Sequence, residues 1–457
     1  RRRLALFTQS KADVPGFDGI IFGWFATLGG YWEESPPLDG HQQRRNAAAD
    51  QWIAARVAEE MAKLAGRGLT SEQLKRQESW AAVRARSSIL PRAFGEYLAD
   101  ARQIVPGLTA HNAIPSFWQG NSQSYAPTAY STLTHRDSVD YFDYCLPPWG
   151  NFRAPAFMAM NNPQRQKLQC EFFTHPSRSE QFATAFGAAG RGLDGFSMTG
   201  ASDELLRIFQ RYGGWFSAHD PLPDVAVYYS GWSNQASVIL HDLARLRRPG
   251  MLLSPEDVVA GELPRYKVLF LAGIGAGESP EVLTAFRDFE ARGGVVIKDT
   301  LCHASLPGRS LSFGYDNTHV HNGWGLAYPN GEWEFAHLWK HFKEIREPSL
   351  NQAFATTPRI AVSTPSSDVV ISPLAGKESI LCFVINQTLV PLEVEGRWRQ
   401  MFVLPRVGEL LVEPGWHVRD VLAGKAVAVE QRQAAGATAD TRSIPVDFTR
   451  ADRKSVG

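Results

Sequence analysis

Apolar and polar positions follow two different rhythms along the chain. From residue 17 to residue 212, short apolar or aromatic runs alternate with helical stretches, the signature of β/α units on a parallel sheet. Strands are expected over residues 19–26, 108–117, 138–145, 167–175 and 193–199, and helices over 42–65, 88–104, 179–190 and 203–216. Each strand run is nearly continuous in apolar or aromatic residues, as strands covered on both faces require. Residues 66–86 are polar and read as a partly helical excursion after the first strand. A second β/α block opens at Pro223, with strands at 224–230, 267–272 and 294–298, helices at 235–245 and 280–292, and a short connecting unit at 252–259. Gly293-Gly294 suits the turn from helix into strand. Residues 306–350 lose periodicity, with one helix expected at 334–343.

From Arg359 the period becomes two, the mark of half-buried antiparallel strands. Such strands are expected at 360–362, 369–372, 379–386, 389–395, 402–404, 408–412 and 427–429. The segment after Arg432 is polar and rich in Ala, Thr and Gly, and is expected to be loosely attached.

Composition removes several function classes. Lys+Arg and Asp+Glu both total 47, so no bulk charge steers the chain toward nucleic acid or an anionic membrane. No apolar run approaches the roughly 18 residues of a membrane span. Arg1–Arg3 is followed by Leu4–Phe7, too short for the apolar core of a secretion signal, and the sequence leaves the compartment open between cytoplasmic and secreted. Cys145, Cys170, Cys302 and Cys382 are scattered, without a CxxC pair or zinc-like spacing, and read as small buried hydrophobes. No metal or organic cofactor is implied.

The candidate chemistry sits at strand ends, where parallel barrels place their active sites. Glu171 lies within the apolar strand KLQCEFFTH, and a carboxylate there is costly unless it has a partner or a task. An arginine partner inside the sheet and a catalytic role are both open readings. Glycoside hydrolysis uses two carboxyl groups that flank the scissile bond. Glu33 and Glu34, in the aromatic loop GGYWEESP, are candidates for the second group, and so is Asp143 in DYFDY. His111, Asn112 and His175 add hydrogen-bonding groups, and Trp24, Trp118 and Trp149 add flat apolar faces. Together these suit a pyranose, which has hydroxyl edges and C–H faces.

Four stretches resemble glycoside hydrolases of the (β/α)8 barrel clan, in particular the family 42 β-galactosidases. Residues 94–112 (FGEYLADARQIVPGLTAHN) look like a barrel helix and fifth strand; residues 168–174 (LQCEFFT) and 179–200, ending GLDGFSMTG, resemble strands seven and eight. Residues 224–299, with ELPRYKVLFLAG and AFRDFEARGGVVIKD, are similar to that family's trimerisation domain. GKESILCFVINQ and RDVLAGKAV look like its small C-terminal β domain.

The resemblance implies an α/β fold of four parts. The later part of a (β/α)8 TIM-type barrel covers 1–221 and a flavodoxin-like, amidotransferase-like α/β domain covers 222–355; a small antiparallel β domain covers 356–432 and a polar tail 433–457. It implies a retaining β-galactosidase-like enzyme with Glu171 as nucleophile, a carbohydrate substrate and a homo-oligomer, trimeric by resemblance. Two departures stand against it. Trp24 is followed by Phe25-Ala26-Thr27, not by the family's Asn-Glu acid/base pair, which opens the alternative of an inactive carbohydrate-binding or assembly protein. Only five barrel strands are legible where eight close a barrel, which leaves open a truncated, processed or partially represented product and a second chain that supplies the other strands. Amidotransfer is set aside: AGIGAG after Leu271 lacks the Gly-x-Cys-x-Gly nucleophile turn.

Overall fold

The computed structural model describes residues 8–9, 12–13, 19–22, 40–66, 68–115, 141–146, 167–172, 181–182, 185–186, 189–190, 192, 195–198, 200–228, 239, 242–243, 246–271, 278–300, 302–313, 342–357, 362–363, 369–386, 389–394, 397–403, 407–412, 417–422, 425–426 and 442–447. Together they form a mixed α/β molecule with two parallel sheets and several small antiparallel ones.

The first sheet holds β1 (Gly19–Phe22), β2 (Thr109–Pro115), β3 (Tyr141–Leu146), β4 (Lys167–Phe172) and β5 (Gly195–Met198). All four pairings are parallel, and the spatial order is the chain order. Between β1 and β2 run two long helices, α1 (Gly40–Ala62) and α2 (Ser71–Ile104), packed on one another. Of the polar stretch 66–86, residues 71–86 belong to the first half of α2 and the described residues before Ser71 lie outside it. That helix even passes through Pro91, which removes one backbone donor from its interior. Pattern reading stopped short because residues 66–86 lack an apolar stripe.

After β5, α3 (Asp203–Ser217) starts at Ser202, whose hydroxyl accepts the Leu205 N–H, with Asp203 and Glu204 beside the positive helix end. Leu205, Phe209, Tyr212 and Phe216 recur at helical spacing and form its packed stripe.

A two-residue strand, β6 (Asp220–Pro221), leads into the second sheet, made of β7 (Val225–Tyr228), β8 (Gly250–Leu253), β9 (Val268–Leu271), β10 (Val295–Lys298) and β11 (Arg309–Ser310). Its order is β8-β7-β9-β10-β11, all parallel, which is the flavodoxin-type order with a switch point between β7 and β9. Every residue of β7, β8 and β9 is buried, so these strands are covered on both faces. On one face sit α4 (Pro255–Val259), closed by a reciprocal Ser254–Asp257 cap, and α5 (Pro280–Ala291), begun by Ser279 and Pro280. Val282, Phe286 and Phe289 of α5 enter a core with Tyr228, Leu269, Leu271 and Val296. Gly293 ends that helix at φ +89°, a conformation that favours glycine.

α6 (Glu347–Phe354) follows a π-helical turn at Phe342–Arg346. The helix expected at 334–343 falls largely outside the described residues, and α6 lies in a stretch read as aperiodic. Buried ion pairs hold it: Arg346 Nε donates to Asp242 at 2.5 Å and its Nη2 at 3.1 Å. Arg248 bonds Asp224 and Thr357 and lies 4.8 Å over the Phe354 ring.

The antiparallel part contains β12 (Val362–Ser363), β13 (Val369–Ala375), β14 (Ile380–Asn386), β15 (Leu389–Val394), β16 (Arg397–Val403), β17 (Val407–Val412), β18 (Arg419–Asp420), β19 (Lys425–Ala426) and β20 (Arg442–Asp447). β16 begins five residues before the strand read there, and the strand expected at 427–429 lies outside the described residues. The polar tail is not all loose: β20 pairs antiparallel with β17 over six positions. A polar strand with little alternation gives no period-two signal when its backbone supplies the pairing.

This part is also fastened to the first. β13 pairs with β6, through Leu374↔Pro221 and Ala375↔Asp220. Phe383 of β14 packs with Phe216 and Phe186 at ring separations of 5.1 and 5.9 Å. Gly190 sits so close that a Cβ there would meet Ser372 at 2.8 Å and Phe383 at 3.0 Å. The antiparallel strands β13 and β14 therefore share a packed seam with β6, Phe186, Gly190 and α3.

Candidate active site

Register across the first sheet aligns its candidate residues. Pro115, Cys145, Glu171 and Ser197 are successive partners in one row, near the C-terminal end of the strands. Two residues earlier the row is Ala113, Asp143, Gln169 and Gly195; two earlier again it is Ile21, His111, Tyr141 and Lys167. Residues alternate between the two faces of a strand, and parallel partners share a face. One face thus carries His111, Tyr141, Asp143, Lys167, Gln169, Glu171 and Ser197. The other carries Ile20, Phe22, Ile114, Phe142, Tyr144, Leu146, Leu168, Cys170, Phe172, Phe196 and Met198, with Asn112 its one strongly polar member.

The period-two pattern was legible in KLQCEF, where Lys167, Gln169 and Glu171 alternate with Leu168, Cys170 and Phe172. The long apolar run around it hides that signal.

The candidates fall at different depths. Glu171 is the fifth of six residues in β4. Asp143 is the third of six in β3, one strand over and two residues back. With strands about 4.8 Å apart and a rise of about 3.3 Å per residue, the two Cα atoms are roughly 8 Å apart. His111 and Asn112 are not at a strand end: β2 runs on to Pro115, and His111 is four residues behind the Glu171 row. Asn112 pairs with Phe22 and Phe142, one register row on from His111. Trp24, Glu33, Glu34, Trp118, Trp149 and His175 lie outside the described residues.

A second strand-end cluster, at the switch point of the second sheet, was not anticipated. Tyr228 ends β7, and its hydroxyl donates to Glu278 Oε2 at 2.6 Å, both groups buried. Asp299, fully buried, follows β10 and accepts the Cys302 N–H at 3.1 Å. The Cys302 thiol donates to the Leu271 carbonyl at 3.3 Å, a packing role for the thiol. Among the described residues no group of His, Cys, Asp and Glu is placed to hold a metal ion. Also among them, no helix is long and apolar enough to cross a membrane.

No protein-family model matches the chain, and no curated protein matches it in sequence. A comparison with solved structures finds partial similarities. A β-galactosidase from Bacillus circulans sp. alkalophilus is 12% identical with a TM-score of 0.48, over 81% of this chain and 68% of that one. The β-galactosidase of the psychrophilic Marinomonas ef1 is 11% identical with a TM-score of 0.45, over 76% and 73%. The cold-adapted enzyme of Rahnella sp. R3 is 9% identical with a TM-score of 0.44, over 86% and 64%. These similarities to bacterial β-galactosidases assign neither an activity nor a residue to this chain.

Proposed function

We propose that the chain is a glycoside hydrolase, β-galactosidase-like and retaining, with Glu171 as its nucleophile. The carrying observation is the polar face of the first sheet, on which Glu171 occupies the row nearest the strand ends. Five parallel strands in chain order are the arrangement of consecutive barrel staves, and barrel enzymes work at the C-terminal ends of their strands. On this reading Glu171 attacks the anomeric carbon while a second carboxylic acid protonates the leaving oxygen; water then releases the sugar with the second group as base. Glu33 and Glu34 are the loop candidates for that second group. Asp143 is the candidate on the sheet itself, because it shares Glu171's face. Retention calls for carboxyl groups about 5–5.5 Å apart, and a Cα separation of roughly 8 Å is compatible with it. A trimer of this chain, and a second polypeptide that completes the barrel, belong to the same proposal.

The test uses nitrophenyl glycosides and the full chain. Glu171→Gln is expected to lower kcat by about 10⁴-fold or more with the circular dichroism spectrum unchanged. A 2-deoxy-2-fluoro glycoside should leave its sugar mass on the peptide that contains Glu171. An unchanged rate, or label on another residue, ends the assignment. One observation favours a second reading, a carbohydrate-binding protein without turnover: no Asn-Glu pair follows Trp24. That reading expects retained sugar binding and no hydrolysis by the wild-type chain.

A further inference from the structure

α3 carries an exposed indole, Trp215, set against Tyr212 at the margin of its packed stripe, and the proposed catalytic site does not use it. Trp215 is 55% exposed, although it neighbours the buried Phe216. Its ring meets the edge of Tyr212 at 6.3 Å, and the Arg211 guanidinium lies 5.2 Å above the Tyr212 ring. Tyr212 is itself fixed, since its hydroxyl donates to the Val421 carbonyl at 3.0 Å, in the turn that follows β18. The next residue, Leu422, is 56% exposed. The Trp215 carbonyl is anchored as well: His219 Nδ1 lies 2.7 Å from it, while His219 Nε2 is 2.9 Å from the Ser379 hydroxyl.

An indole left open to water on a braced base gains most from a ligand with a flat C–H face, and a guanidinium held over a neighbouring ring offers donors at the rim of that face. A purely apolar partner would strand those donors, whereas a pyranose presents hydroxyls at its edge and C–H bonds on its face. We propose that Trp215, Tyr212 and Arg211 form a second sugar-binding surface, separate from the Glu171 face. α3 starts just after β5 ends, and Trp215 lies about 18 Å along the helix from its first residue, Asp203. A site there grips a long saccharide and tethers the protein to it; it takes no part in bond cleavage. The choice of ligand class rests on the glycoside reading above, but binding here needs no catalysis.

The experiment is electrophoresis of the full chain through native gels containing soluble β-1,4-galactan, arabinogalactan or xyloglucan, with bovine albumin as the non-binding reference. Wild type is expected to be retarded by at least one polysaccharide. Trp215→Ala should weaken that retardation about tenfold and Trp215→Phe less, while Glu171→Gln should leave it in place. Equal retardation of wild type and Trp215→Ala overturns the proposal, and so does the absence of retardation in every gel. A change in sedimentation coefficient on Trp215→Ala, with sugar retention kept, makes this a protein contact and also overturns it. Retardation without hydrolysis would instead sink the catalytic reading and leave this one standing.

Discussion

Phe383→Ala tests whether the antiparallel domain is part of the same folding unit as the first β/α block. Phe383 is 7% exposed and lies in a cluster with Ala189, Phe216 and Leu374, with Phe186 and Phe209 packed around it. Removing a buried ring forfeits roughly 1.5–3 kcal/mol of transfer free energy. The cavity left behind adds to this, because Ala189 and Gly190 are held by backbone and cannot follow, which brings the total to about 3–5 kcal/mol. The Phe216 contact is edge-on, a geometry worth about 0.5–1.5 kcal/mol beyond area, and a cycle with Phe216→Ala should show that much non-additivity. A chain of several blocks does not unfold in one step, so the assay is native-state hydrogen exchange resolved by segment. Amides of α3 and of β13–β14 are expected to lose protection together, by about 100-fold for a loss near 3 kcal/mol. The second sheet should be unaffected. If β13–β14 loosens while α3 keeps its protection, the seam does not couple the two parts and the reasoning fails.

Two further outcomes follow from the same structure. Arg346→Met leaves Asp242, fully buried, without its guanidinium, and should cost about 3–5 kcal/mol in urea unfolding of the second block. Adding Asp242→Leu should recover most of that loss; no recovery would mean that the pair contributes more than mutual compensation. Alkaline pH should destabilise the fold, because burial pushes the Cys382 thiol up to about 12 from 9.0 and raises the Tyr266 phenol above its ordinary 10.0. Both groups stay protonated in the folded chain while the unfolded chain ionises, so stability falls as pH rises through 9 and then 10, by up to about 1.4 kcal/mol per unit for each group. Thermal melts from pH 8 to 10.5 would read this. Cys382→Ala should flatten the fall that starts near pH 9, and an identical slope in the variant would remove Cys382 as its cause.

The sequence by itself determined the kind and order of the local elements. Wherever an apolar stripe and a cap coincide, as at Ser202 with Leu205–Phe216 or at Ser279 with Val282–Phe289, the helix stands where the pattern puts it. Glu171 was also legible, because one acid in an oily strand is a local anomaly. The tertiary structure decided what depends on partners distant in the chain. Sheet order and register, which bring Asp143 to Glu171's face and turn Asn112 away from it, come from hydrogen bonds between strands up to ninety residues apart. The hold on α6 needs Asp242, 104 residues from Arg346, and β20 owes its existence to β17. Period and capping are properties of neighbours along the chain. Pairing, burial of a charge and exposure of Trp215 are properties of neighbours in space, and no local pattern encodes them.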